Sequence, residues 1–478
     1  MADIEWLLEQ VDSSEEGSHI GAFFDFDGTL IDGYSAAAFF KYRLRRGDIS
    51  VNEVVTSVRE AVNIERRGHD VSEMMRIGVQ AQAGKDADEL DSWARNIFAR
   101  KIAGMIYPDS RLLVEAHLRK GHSVVIASSA TRAQVQATAE DLGIEDIICT
   151  EIEVDGGRIT GRLAGPIRWG QAKADGVLDY AEEYEIDLDN SFGYSNGPED
   201  LPLLESVGHP VALNPDDELR FIAKERGWPA SRFKAPPSTS LLDVGRSAAA
   251  MGLFVGSVAA ATGLAVLNRS RSLGANLAAS AGSELALAAA GVSLNIVGEE
   301  NVWETRPAVF LFNHQSQLDV FVLAALLRKD FTGVAKKSLE KDPFFGPIGY
   351  LADVAYIDRS NTEAARKGLE PAVEALKNGR SIAIAPEGTR SPTPRLLPFK
   401  KGPFHIAMQA GVPVVPIVMR NCGEIMAAHS MVIHAGTVDV AVLPPVPTDD
   451  WTKENLDERI TEVRQMYLDT LEDWPSDR

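Results

Sequence analysis

Cysteine is nearly missing from this chain: two residues in 478, Cys149 and Cys422, far apart in sequence. That scarcity excludes a disulfide framework and any zinc site built on closely spaced cysteine pairs, and it fits a reducing, cytosolic setting. The first seventeen residues, MADIEWLLEQVDSSEEG, are acidic and have neither the basic start nor the apolar centre of a secretory signal. Positive charge is also in short supply, 48 Lys and Arg against 69 Asp and Glu, for a net charge of −21. A chain so acidic is not expected to bind nucleic acid or anionic lipid non-specifically. Repeats of long period are absent, which excludes a solenoid. What remains is a globular composition, 45% hydrophobic and 24% charged, at a length that calls for two or three domains. The acidity is uneven, because residues 300–410 hold 15 Lys and Arg against 12 Asp and Glu. A mildly basic segment inside an acidic chain suits an anionic substrate.

The stretch NHQSQLD, residues 313–319, follows the apolar run AVFLF and precedes another apolar run, VFVLAALL. The pattern predicts a buried strand, a turn and a packed helix. Ser316 and Asp319, three apart, have the spacing of a capping box with Asp in the place of Glu. On a regular helix residues five apart point about 140° away from each other. His314 and Asp319 can therefore meet only if His314 sits on the irregular backbone before the helix. A carboxylate on one imidazole nitrogen fixes the tautomer and leaves the other nitrogen as a general base.

Nearer the N-terminus, an apolar run at residues 20–24 leads into DFDGTL. A strand that ends in DxDGT sets two carboxylates at the carboxyl edge of a sheet, where open α/β folds bind ligands. Asp25 is the candidate nucleophile, able to form an aspartyl-phosphate, and Asp27 the candidate acid for the leaving oxygen. Paired aspartates also invite a hard cation such as Mg²⁺. DFDGTLIDG resembles the first motif of the haloacid dehalogenase superfamily of phosphatases. The resemblance extends in order to Ser128 at the end of a strand over residues 123–127, to Lys173 in GQAKADGV, and to SFGYSNGPEDLPLL at residues 191–204. It implies that Ser128 and Lys173 bind the phosphoryl group. The implied ligand set for Mg²⁺ is Asp25, Asp27, Asn196 and Asp200. Residues 32–107 read as several helices, similar to the helical cap of the phosphoserine-phosphatase-like branch.

One position departs from that pattern. Asn196 stands where the branch has Asp, so the site keeps a carbonyl oxygen but loses a charge, and metal affinity is expected to fall. Two readings stay open for residues 18–228: a Mg²⁺-dependent phosphomonoesterase, or a non-catalytic regulatory or binding module. GYSNG at residues 193–197 also matches GxSxG, the nucleophile elbow of serine hydrolases. The continuation into Asp200 and its apolar run favours the phosphatase motif instead.

Residues 229–242, with Pro229, Pro236 and Pro237, read as a linker. Residues 247–267 hold no charge over 21 positions, and residues 273–297 hold only Glu284. The expectation for residues 243–298 is an apolar helical hairpin in contact with a membrane, spanning or lying in one face. The alternative is a pair of buried core helices.

NHQSQLD resembles the HxxxxD motif of the glycerolipid acyltransferases, and more of that family's motifs follow in order. GVAKK at 333–337 precedes Pro343 and Gly346, YIDR ends at Arg359, PEGTRS spans 386–391, and VPVVPI spans 412–417. The resemblance covers residues 250–445. It implies His314 and Asp319 as the catalytic pair, with Arg359, Glu387, Gly388, Thr389 and Arg390 binding phosphate and substrate; Lys400, read from its charge alone, is a further candidate for the phosphate. Read from the residues themselves, Gly388 permits a tight turn of exposed N–H groups, and each arginine can grip phosphate with two N–H groups. Lys401 adds charge nearby. The implied donor is acyl-CoA or acyl carrier protein, and the implied acceptor is a lysophospholipid.

The expected architecture is α/β in two domains. A Rossmann-like phosphatase domain with a helical cap precedes a membrane-associated α/β acyltransferase domain (299–445) with the apolar hairpin before it. An acidic segment (1–17) and an acidic tail (446–478, with an amphipathic helix over 455–471) flank them. The expected place is the cytoplasmic face of the cell membrane, with no nucleic-acid partner.

Overall fold

Every residue of the run Gly21–Phe24 is buried, and a strand buried on both faces belongs inside a parallel sheet. The computed structural model describes residues 3–47, 72–341, 345–357 and 369–475. It divides into two units, Met1–Pro236 and Pro237–Arg478.

The first unit contains β1 (Gly21–Phe24), β2 (Ser123–Thr131), β3 (Asp146–Thr150), β4 (Ile152–Asp155), β5 (Arg158–Leu163), β6 (Phe192–Ser195), β7 (His209–Leu213) and β8 (Ala230–Ser231). Six of them form one sheet in the order β3-β2-β1-β6-β7-β8, with every pairing parallel. Helices such as Pro108–Arg119, Arg132–Leu142 and Gln171–Glu183 supply the crossovers. The chain leaves β1 toward β2 on one side and later adds β6 on the other. That reversal of strand order opens a crevice at the carboxyl ends of β1 and β6, the usual ligand position in such sheets. Ser128 lies inside β2, which runs on to Thr131 through an irregularity in its pairing with β3. In the segment expected as a helical cap, Ser35–Arg46, Ser72–Gln80 and Ala87–Arg100 are helices, and residues 48–71 lie outside the described residues. The antiparallel pair β4–β5 packs against the helix Ser72–Gln80, an element the sequence pattern did not indicate.

The second unit contains β9 (Val292–Val297), β10 (Val309–Phe312), β11 (Phe331–Lys336), β12 (Ala355–Ile357), β13 (Ser381–Ile384), β14 (Val414–Met419) and β15 (Gly436–Val442). Their order is β12-β11-β13-β10-β14-β15-β9, parallel throughout except where β14 meets β15. β10 sits in the middle and is buried at every position.

The apolar segment begins at Ser240, whose side chain forms a capping box with Asp243, and runs as one helix over Leu241–Leu267. At 1.5 Å per residue it is about 40 Å long. Ser247, Ala250, Phe254, Val258, Ala261 and Ala265 form its buried stripe at helical spacing, while Leu253, Val255, Leu264, Val266 and Leu267 on its other sides are exposed. The second arm is shorter than its apolar composition suggested. It comprises Arg271–Leu277, a π turn at Ala278–Gly282, and Ser283–Ala290. Gly291, at φ +73°, ends it, and the β-branched run that follows becomes the edge strand β9 rather than more helix. Gly274 lets the two arms close: a Cβ there would stand 2.7 Å from the Ala265 Cβ.

Residues 446–478, expected as a tail, hold the helix Leu456–Glu472. Trp451, Leu456, Ile460, Val463 and Tyr467 join the core beside β10 and β14. The Tyr467 hydroxyl donates to the Leu311 carbonyl at 2.8 Å. The helix is therefore part of the fold that supports the end of β10.

Candidate active sites

In the first unit, Asp25 leaves β1 at the crevice. Its N–H donates to the Tyr194 carbonyl of β6 at 2.9 Å, which fixes the backbone. Lys173, fully buried at the start of its helix, reaches Asp25 Oδ1 at 2.8 Å and Asp200 Oδ2 at 2.7 Å. Burial opposes the charge on this lysine, but the Asp200 and Asp25 carboxylates outweigh it and hold Lys173 above its ordinary range. Thr29 Oγ1 donates to Asp25 Oδ2 at 3.1 Å. Asp27 turns the other way: its carboxylate accepts from the Ser35 N–H at 2.7 Å and the Ser35 hydroxyl at 3.0 Å. Burial pushes Asp27 up to about 7, so it carries a proton in mildly acidic solution. Gly28, at φ +82°, makes the DGT turn, and a Cβ there would lie 2.3 Å from Asn196 Nδ2. Asp25, Asp27, Lys173, Asn196 and Asp200 thus gather at the switch point. Ser128 is buried close by in sequence to the end of β2, where its oxygen accepts from the Ala130 N–H at 3.1 Å.

Ser195 of the GxSxG match is fully buried and donates its hydroxyl to Asp200 Oδ2 at 2.7 Å. It has no exposed oxygen with which to attack a substrate, so this is no nucleophile elbow. Ser35 and Ser195 were missed as second partners of the two acidic groups; no motif spacing marks them.

In the second unit, His314 follows β10 and Asp319 lies in the helix Leu318–Leu327. The His314 ring donates from Nδ1 to Asp319 Oδ2 across 2.7 Å, and Asp319 is fully buried. The same oxygen accepts the N–H groups of Gln315 at 2.8 Å and Ser316 at 2.9 Å. Only half of the expected capping box forms: the Asp319 carboxylate takes the Ser316 N–H, while Ser316 Oγ accepts from the Leu318 N–H at 3.0 Å and the helix begins after Gln317. With Nδ1 occupied, Nε2 of the partly exposed ring has no hydrogen bond among the described residues and is the candidate base nitrogen. Asn313 clamps the strand end to β14 in both directions at 2.7 Å, giving its amide to the Met419 carbonyl and taking the Met419 N–H.

Glu387 is buried and bridges two backbones. It accepts the His314 N–H at 2.7 Å and the Leu397 N–H at 2.9 Å. Each oxygen takes one backbone N–H, so Glu387 braces the His314 loop against the chain at Leu397. Burial pushes it up to about 7 despite those two bonds. The Ser391 N–H donates to the His314 carbonyl at 2.7 Å, tying PEGTRS to NHQSQLD a second time. Gly388 takes a left-handed φ of +74°, and Thr389 is exposed. Arg390 is half-buried and donates to the Ala428 carbonyl. Burial lowers Arg390 from its ordinary range, with Asp319 acting in the opposite sense. Lys400 is exposed, and its backbone N–H donates to the Pro386 carbonyl at 2.7 Å. Lys401 was expected to add charge at the site, but its ammonium pairs with Asp457 of the last helix at 2.6 Å. Arg359 and Pro343 lie outside the described residues.

The sequence profile described as haloacid dehalogenase-like hydrolase matches residues 22–205. Phosphoserine phosphatase SerB1 of Mycobacterium tuberculosis is 31% identical over 243 residues, which cover 50% of this chain and 79% of that one. The chain belongs to the haloacid dehalogenase-like hydrolases. This member also carries an acyltransferase domain, since the acyltransferase profile matches residues 293–420. The 1-acyl-sn-glycerol-3-phosphate acyltransferase of Saccharomyces cerevisiae is 38% identical over 186 residues, covering 38% of this chain. The chain spans 61% of the length of that relative. A solved 1-acyl-sn-glycerophosphate acyltransferase from Thermotoga maritima aligns at a TM-score of 0.41 and 23% identity, over 49% of this chain and all of that one.

Haloacid dehalogenase-like phosphatases generally use Mg²⁺, and the residues present fit such an ion. Asp200 Oδ1 is buried with no hydrogen-bond partner among the described residues. The tip of the Asn196 side chain lies 3.2 Å from the Asp27 carbonyl and 3.3 Å from Asp25 Oδ2. Oxygen ligands of this kind suit a hard cation, with one negative charge fewer than an Asp at position 196 would give.

Proposed function

We propose that the second unit transfers a fatty acyl group from acyl-CoA or acyl carrier protein to the sn-2 hydroxyl of 1-acylglycerol 3-phosphate, giving phosphatidate. The observation that carries this reading is the 2.7 Å contact between His314 Nδ1 and Asp319 Oδ2, with Nε2 left free. His314 Nε2 takes the proton of the acceptor hydroxyl as that oxygen attacks the thioester carbonyl. The tetrahedral intermediate then expels the thiolate, which receives the proton from His314. Arg390, together with Arg359, Gly388, Thr389 and Lys400 from the motifs, holds the acceptor phosphate and glycerol. Support for this acceptor comes from the relatives named for it.

For the first unit we propose a phosphomonoesterase. Asp25 attacks phosphorus and an aspartyl-phosphate forms as the P–O bond to the leaving group breaks. Asp27 protonates the departing oxygen, and it then takes a proton from the water that releases phosphate. Lys173 and Ser128 balance and hold the phosphoryl oxygens. Magnesium, held by Asp25, Asp27, Asn196 and Asp200, would add positive charge against those oxygens. The charge missing at Asn196 favours a second reading, in which this unit binds a phosphorylated ligand and regulates an acyltransferase for that or another lysolipid. Membrane association is also proposed, on the exposed aliphatic side chains of the helix Leu241–Leu267. The cytoplasmic face of the cell membrane fits the composition.

One incubation tests both halves: purified chain with acyl-CoA, lysophosphatidate, a panel of phosphomonoesters and Mg²⁺, following phosphatidate and free phosphate together. His314→Ala is expected to lower acyl transfer by about 10³-fold and leave phosphate release unchanged. Asp25→Asn is expected to do the reverse. Acyl transfer by His314→Ala at the parent rate would remove the assignment, and equal phosphate release from the parent and Asp25→Asn would leave the regulatory reading.

A further inference from the structure

The atom at the tip of Asn196 sits 3.2 Å from the Asp27 carbonyl oxygen, 3.2 Å from Thr29 Oγ1 and 3.3 Å from Asp25 Oδ2. The two orientations of the amide differ in kind there. With its oxygen inward, Asn196 can take the Thr29 hydroxyl at 3.2 Å but also faces the Asp27 carbonyl and Asp25 Oδ2, two acceptors that repel it unless a cation lies among the oxygens. With its NH₂ inward, the same side chain donates to the Asp27 carbonyl and to Asp25 Oδ2, and no cation is needed. Only an amide offers both faces; an Asp at this position offers oxygen alone.

The rest of the pocket fits this double use. Lys173 satisfies Asp25 on Oδ1 and also reaches Asp200, so the second oxygen of Asp25 is the one left to Thr29 and Asn196. The Asp27 carboxylate is held by Ser35, and Asp27 faces the Asn196 tip with its backbone carbonyl instead. An Asp at position 196 would add a third carboxylate beside Asp25 and Asp200 with one lysine to offset them, a charge excess that a bound cation must neutralise. Gly28 leaves room for the amide, and any side chain there would close it.

We propose that the Asn196 amide is a built-in stand-in for the divalent cation, turning its NH₂ inward when the cation is absent and its oxygen inward when it is present. The phosphate pocket then stays assembled without metal and takes Mg²⁺ weakly and reversibly, so that the concentration of the ion regulates this unit. The inference rests on the reading of the first unit as a phosphatase-type pocket.

The test uses the full chain and its variants Asn196→Asp and Asn196→Ala, stripped with EDTA. Mg²⁺ is titrated by calorimetry, and hydrogen exchange is followed for backbone amides of residues 22–31. Asn196→Asp is expected to bind Mg²⁺ at least about ten-fold more tightly than the parent. The parent is expected to keep the same exchange protection in EDTA and in Mg²⁺. Asn196→Asp should lose protection in EDTA and regain it with Mg²⁺. Asn196→Ala, which lacks the stand-in, should lose about ten-fold of its protection in EDTA. Equal Mg²⁺ affinities for the parent and Asn196→Asp overturn the proposal, as does full protection of Asn196→Ala in EDTA. Neither readout needs turnover. If phosphate release fails the Asp25→Asn comparison while these differences are seen, the phosphatase reading falls and the role of Asn196 stands.

Discussion

Glu387 shows how much one buried carboxylate governs. Its two oxygens hold the His314 and Leu397 N–H groups, and burial raises it to about 7 from the 4.5 of an unfolded chain. Between those values the folded state binds the extra proton, so stability falls as pH rises from about 4.5 through about 7. The span of the two values sets an upper bound of about 3 kcal/mol on that loss. In Glu387→Gln the amide can accept only one of the two N–H groups, which costs about 1–3 kcal/mol. The variant is expected to unfold at lower denaturant near pH 5 but to lose less stability than the parent between pH 5 and 8. Denaturation curves across that range check it, and a parallel pH dependence in the two proteins would refute the assignment. The His314–Asp319 pair was legible in the sequence because the helix start dictates where a capping carboxylate points. The bond from Glu387 to the His314 backbone was not, since it joins residues 73 apart in the loops after two different strands.

At the scale of elements, the helix Leu241–Leu267 has a stripe of small and apolar residues packed against its own unit, and aliphatic side chains left exposed. Burying such a face in lipid is favourable at about 25 cal/mol per Å² of apolar area. Replacing Val255 and Val266 together by Asp should leave the fold intact, because both are exposed, and should release the chain from phospholipid vesicles in a flotation assay. Retention of the double variant on vesicles would place the membrane contact elsewhere. The long first helix is readable from the absence of charge. The point where the second arm stops is not, because an apolar run alone does not distinguish a buried helix from a buried strand. Gly291 and the pairing of β9 with β15 decide it.

At the scale of the molecule, each unit has its own core, and the second includes residues from the end of the chain. A chain stopped after Pro445 loses Trp451, Leu456, Ile460, Val463 and Tyr467 from the packing beside β10. It is expected to lose acyl transfer and the exchange protection of residues 309–312, while residues 21–24 of the first unit stay protected. Hydrogen exchange on the shortened chain measures both, and unchanged protection at residues 309–312 would show the last helix to be dispensable.

The sequence by itself determined the two families, the order of their motifs and the candidate side chains at each site, because strand-end and helix-start chemistry is local and is written in consecutive residues. Only the tertiary structure decided that Ser195 is spent on Asp200, that Glu387 braces His314, and that the last helix supports β10. Those assignments depend on which distant groups share a buried space, where an unpaired polar atom is costly and each donor must find an acceptor.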